Sequence, residues 1–196
     1  MDHSSGPGGV DHRARFGQPA LSGTVLGSAD ELEALAPAWA ELWARVPAAT
    51  PFQAPAWLLQ WWRTLGGGDL IVVAVRDDQD CLVGLAPLFI YVDGPVRRLM
   101  PIGIGISDYL DILLDPTMED AAAAALFARL RQERHRWDEM AFEELNPDAR
   151  LLAAPCPPGW VDDVDDQGSC MVLTLPEGTG RIEDCVRRSK LYDVRR

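Results

Sequence analysis

Gly103 to Leu113 reads GIGISDYLDIL, which brings two glycines, a serine, a tyrosine and two aspartates into one short stretch. Such a set could cradle a phosphate, ligate a metal or contact a substrate. A phosphate loop needs bare backbone N–H groups delivered to a helix N-terminus. Here Gly103 and Gly105 run into Ser107, Asp108 and a strand-like apolar run. Asp108 also replaces the third glycine of a G-x-G-x-x-G spacing. A bend between two strands is therefore expected. Asp108 and Asp111 stand three apart, which in a strand sends them to opposite faces, and no His or Cys lies near to complete a metal shell. Asp108 is expected in a turn and Asp111 on the solvent side. Ser107, Asp108 and Tyr109 remain open as substrate contacts.

Other reactive residues are sparse. His135 lies between Arg134 and Arg136, late in an expected helix, where the dipole favours a cation without any catalytic role. No G-x-S-x-G elbow is present. Cys81, Cys156, Cys170 and Cys185 form no C-x-x-C pair, which argues against zinc and thioredoxin chemistry. Asp163, Asp165, Gln167 and Gly168 start like a calcium loop, but Thr174 replaces the bidentate Glu, so a solvated acidic loop and no metal are expected. Trp39, Trp43, Trp57, Trp61 and Trp62 fall at helical spacing and read as core, with sugar stacking as the minor alternative.

The elements that must position these residues follow from periodicity. Residues 1–20, rich in Gly, Pro and Ser, read as a disordered leader without an apolar signal segment, so reduced thiols and a cytoplasmic location are expected. Ser28 and Glu31 fit a capping box before a helical pattern from Leu32 to Val46, which Pro37 either kinks or divides. A second helix starts near Pro55, buries Trp57, Leu58, Trp61, Trp62 and Leu65, and stops at Gly66. Leu70–Val75, Cys81–Val92, Val96–Ile102 and Tyr109–Leu114 read as strands, with Gly84 and Pro87 marking a bulge or an unpaired edge. A helix opening at Pro116-Thr117, with Asp120 helping to cap it, runs to about Arg136. Strands at Asp138–Leu145 and Ser169–Leu175 and a helix at Arg181–Arg196 complete the order. This is an α/β chain of the α+β kind with a mixed sheet, one domain over 21–178 and a basic helix over 179–196. It is not a doubly wound nucleotide fold, which needs a helix after nearly every strand. A net charge of −12 over 196 residues disfavours nucleic acid and anionic lipid, and no apolar run reaches the ~20 residues of a membrane helix.

The blocks TPFQAPAWLLQWWRTLGGG, LVGLAPLFI, GIGISDYLDILLDP and LTLPEG with CVRRSKLYDVRR, in that order, resemble GNAT-superfamily proteins associated with cellulose biosynthesis, relatives of the Fem-type aminoacyl transferases. The resemblance spans Ala29 to Arg196. It implies an acyl-CoA N-acyltransferase fold, acetyl-CoA or another acyl-CoA as co-substrate, an amine or glycan-precursor acceptor, and a role near polysaccharide or envelope assembly. Asp108 is then the candidate base. Gly103, Gly105, Ser107 and Tyr109 are the candidate substrate or cofactor contacts, and a strand splayed at Gly84 and Pro87 would admit the pantetheine arm. The family's Q/R-x-x-G-x-G/A pyrophosphate loop meets Met100 at its first position. Family members are tandem proteins with the better-formed acyl-CoA site in the second half. The chain therefore resembles an N-terminal half, whose basic end leads to a second GNAT-like domain or supports self-association. A non-catalytic module that binds substrate or scaffolds a second domain is the alternative.

Overall fold

A computed structural model describes residues 20–143 and 145–166. The leader, the strand expected at Ser169–Leu175 and the helix expected at Arg181–Arg196 lie outside those residues. The chain divides into two compact units, residues 1–161 and 162–196. The first is mixed α/β, with five α-helices and a mixed six-stranded sheet among the described residues.

The run LIVVAV sets the middle of the sheet. Strand β1 (Ser22–Leu26) pairs antiparallel with β2 (Asp69–Arg76), and β2 with β3 (Leu82–Asp93). Leu70, Val72 and Ala74 of β2 face one core, while Ile71, Val73 and Val75 face the other. Side chains alternate across a strand, so an unbroken apolar run requires cover on both faces. Helices α1 (Ala29–Ala34), α2 (Ala36–Arg45) and α3 (Pro55–Leu65) supply Leu32, Leu35, Trp39, Leu42, Leu58 and Trp61 to the first face. Helix α4 (Glu119–Gln132) covers the second with Ala122, Ala123, Leu126 and Leu130.

Local signals place most boundaries. The Ser28–Glu31 capping box forms, and Pro37 falls in the first turn of α2, so it divides the helical pattern in two. In α3, Leu58 and Trp61 are buried and Trp62 half-buried, while Trp57 and Leu65 are exposed, contrary to the burial expected for all five. Gly66 ends α3, and a Cβ there would meet the Trp62 carbonyl oxygen at 2.3 Å. Helix α4 begins at Glu119 and stops at Gln132, with a 3-10 turn over Arg134–Arg136. Asp120 sits inside its first turn; the N-cap is Met118, without a side-chain cap bond.

Strand β3 organises the remainder. Val75 faces Gly84 and Arg76 faces Leu82, so Val83 is the extra residue of a β-bulge. The bulge aims Gly84 at α4, where a Cβ would lie 3.2 Å from the Val75 Cβ and 3.5 Å from the Ala122 Cβ. The expected bulge is therefore present. Gly84 itself is not an opening: it pairs with Val75 on one side and Leu114 on the other. The opening lies at Pro87. Strand β4 (Val96–Pro101) pairs with β3 from Asp93↔Val96 to Leu88↔Pro101, and the Ile102 amide then donates to the Pro87 carbonyl at 2.9 Å. A residue in an antiparallel ladder turns its N–H and C=O to the same neighbour, so the return bond would come from the Pro87 nitrogen, which carries no hydrogen. The chain leaves the sheet one residue later and rejoins β3 as β5 (Leu113–Leu114). Three steps along β3, from Leu88 to Leu85, match twelve along its neighbour, from Pro101 to Leu113.

Strand β6 (Glu139–Met140) follows α4 and pairs parallel with β4, in the sheet order β1-β2-β3-β4-β6. Among the described residues of the expected Asp138–Leu145 strand, Glu139 and Met140 form the paired strand, and the Asp138 and Ala141 amides donate to the Arg97 and Leu99 carbonyls. Arg97 donates to the Asp138 carboxylate from its amide, Nε and Nη2 at 2.8–3.0 Å, and Arg98 pairs with Glu139. The Arg97 hydrogen bonds hold the Asp138 carboxyl well below the usual carboxylate range. No helix among the described residues is long and apolar enough to cross a membrane.

Candidate functional site

The excursion from Gly103 to Ile112 places the residues singled out by type. Three positive φ angles shape it: Gly103 at 106°, Gly105 at 87° and Tyr109 at 56°. Gly103 is a packing position, since a Cβ there would lie 2.6 Å from Leu58 Cδ2 and 3.1 Å from Ser107 Oγ. Gly105 has open space around it. A left-handed Tyr109 cannot lie in a strand, which is why the strand expected over Tyr109–Leu114 shrinks to Leu113–Leu114.

Indole N–H groups pin the loop. Trp57 Nε1 donates to Ser107 Oγ at 2.8 Å, and Ser107 is buried. Trp39 and Trp43 donate to the carbonyls of Gln53 and Thr50, fixing the 3-10 turn Pro51–Gln53. The buried Gln53 accepts the Thr50 amide and donates to the Asp111 carbonyl at 3.2 Å. Asp111 turns inward, contrary to the expected solvent-facing position. Its carboxylate accepts the amides of Ile112, Arg150 and Leu151, which caps the short helix α5 (Arg150–Ala153). Two of the three donors, the Arg150 and Leu151 amides, lie beyond the loop, which a strand-based face assignment could not include. Asp108 remains exposed near the tip, and Tyr109 is half-buried.

Asp115, Arg45 and Thr117 form a second polar cluster that the sequence did not single out. Arg45 Nε donates to Asp115 Oδ2 at 2.9 Å and its Nη2 to the Leu82 carbonyl at 2.7 Å. Thr117 donates to Asp115 Oδ1 from its amide at 3.0 Å and its hydroxyl at 2.6 Å. The two loop-flanking carboxyls are displaced in opposite directions. Burial pushes Asp111 up, against its three amide donors and the Arg150 charge. Burial acts upward on Asp115 too, but the Thr117 hydroxyl and amide and the Arg45 guanidinium outweigh it and hold it below the ordinary value. A depressed folded value adds stability above the unfolded pKa of about 3.9, and that stability is lost as pH falls through the folded value. Arg45→Gln is expected to cost about 1–3 kcal/mol at pH 7, with the gap to wild type closing below pH 4. Urea unfolding at pH 7 and pH 3 measures both, and an equal gap at the two pH values would contradict the pairing.

A groove of about 500 Å³ opens between α3 and the ends of β3 and β4, lined by Trp61, Leu65, Phe89, Tyr91, Met100 and Ile104. It carries no charged lining residue. Ile104 belongs to both the groove and the loop. Cys81 and Cys156 are exposed at the surface. No family model matches this chain, and no curated protein matches it.

Proposed function

We propose that this chain is a GNAT-like module of an acyltransferase system that moves an acetyl or acyl group from acyl-CoA to an amine, and that its own part is to bind the acceptor. The observation that carries this is the sheet: β1, helices, an antiparallel β2-β3-β4 meander, then α4 and β6 returning beside β4 as the parallel pair. That order agrees with the acyl-CoA N-acyltransferase fold which the sequence resemblance implies. The division of labour rests on chemistry. Gly103 and Gly105 are separated from the first turn of α4 by the rest of the loop and β5, so their amides are not delivered to a helix N-terminus. A net charge of −12 repels the polyanionic coenzyme and attracts an ammonium group. Asp108, exposed four residues after the groove-lining Ile104, is the carboxylate such an amine would meet. The acyl donor then belongs to a second GNAT-like domain, and the link to cellulose or envelope assembly follows from the resemblance. The exposed apolar Leu65, Tyr91 and Val92 beside the groove favour a second reading, in which the module braces that domain.

Titration of glucosamine and of a short alkylamine against the full chain, followed by tryptophan fluorescence, tests acceptor binding. A saturable change is expected, weakened at least about tenfold in Asp108→Ala, which is the loss of roughly 1.4 kcal/mol. No response to either amine would sink the acceptor-binding role. An unchanged affinity in the variant would remove Asp108 from it.

A further inference from the structure

We infer that the turn from β5 into α4 is an anion cradle which the chain fills with its own Asp115, and that this module therefore holds no coenzyme A pyrophosphate there. The cradle stands on geometry alone; its consequence for coenzyme A rests on the GNAT-like reading above, because a pyrophosphate needs amides at a helix N-terminus and the Gly103–Gly105 stretch does not reach one.

Three donors converge on one carboxylate. The Arg45 guanidinium takes Oδ2, and the Thr117 amide and hydroxyl take Oδ1. Asp115 is 6% exposed, so its charge is matched by the cradle and little by water. The guanidinium is held in place independently of the carboxylate, because Nη2 is anchored on the Leu82 carbonyl. The donors would therefore persist if the carboxylate were removed. The surroundings resist a second anion. The first turn of α4 carries Glu119 and Asp120, so its dipole already faces negative side chains. Glu119 is matched by Arg150 at 3.1 Å, which leaves that guanidinium committed as well. The connection from β4 to α4 has no glycine beyond Gly105, so no bare backbone stretch adjoins the helix.

The test uses the full chain as wild type and as Asp115→Ala, in sodium formate, sodium pyrophosphate and sodium chloride at matched ionic strength. Wild-type Tm is expected to be the same in all three, with no saturable heat from coenzyme A at millimolar concentration. Asp115→Ala is expected to melt lower in chloride and to regain stability in formate along a binding isotherm, because formate supplies the missing carboxylate. If the variant does not fold in chloride, its refolding yield in formate against chloride gives the same readout. A folded variant indifferent to formate and pyrophosphate overturns the cradle and leaves the fold reading untouched. Saturable coenzyme A binding by the wild type overturns the exclusion and supports a self-sufficient acyltransferase. Anion rescue of the variant with a wild type blind to coenzyme A supports both parts.

Discussion

Gly103→Ala is expected to lower the free energy of unfolding by about 2–5 kcal/mol, the sum of backbone strain and an overfilled contact. At φ 106° a Cβ is strained whatever its surroundings, and this one would also sit 2.6 Å from Leu58 Cδ2. Gly105→Ala separates the two effects. Its φ of 87° carries strain, yet nothing lies within 4 Å of the added carbon. That variant is expected to lose only about 1–2 kcal/mol. Urea unfolding of both, with unchanged m values, measures the difference as the packing part. Equal losses would mean that Leu58 moves aside freely and that Gly103 is required only for its backbone angle.

Trp39→Ala is expected to cost about 3–5 kcal/mol, because the indole is fully buried between α2 and the sheet and its removal leaves a cavity. Trp39→Phe retains much of the volume but deletes the bond to the Gln53 carbonyl, and about 1–3 kcal/mol is expected for that unmet acceptor. The smaller substitution is the more informative about function. Gln53 carries the Asp111 carbonyl, so loosening the Pro51–Gln53 turn should free the Gly103–Ile112 loop. Amide hydrogen exchange is expected to rise at Thr50, Gln53 and Ile112 in Trp39→Phe, with β2 unchanged. Exchange that rises uniformly instead would assign Trp39 to the core alone.

The fold was readable where a single local signal determined the outcome. Ser28 with Glu31, Pro37, Pro55 and Gly66 fix helix ends through groups within four residues of each other. The LIVVAV run reads as a strand, and Gly84 with Pro87 signals the bulge or edge that β3 carries. Strand β1 carries no local signal, because SGTVL has no apolar alternation; its place comes from pairing with β2, about fifty residues away. Asp111 misled for the same reason. Its direction is set by the Arg150 and Leu151 amides, roughly forty positions later. Arg45 and Asp115 lie seventy apart and share no motif, so only the folded chain joins them. Trp57 was read by its apolar body, whereas its contribution is the N–H that holds Ser107. Loop chemistry here is long-range, and helix chemistry is short-range.

Pro87 removes one rung from the β3 ladder at the place where the loop departs. Strands β4 and β5 each keep their own pairing with β3 on either side of that gap. The two ends of the excursion are thus anchored on β3 independently, and its length is decoupled from the register of the sheet. Residues could be inserted at the exposed Gly105–Ile106 tip without displacing a core side chain. The fold thereby separates what must stay constant from what is free to diversify.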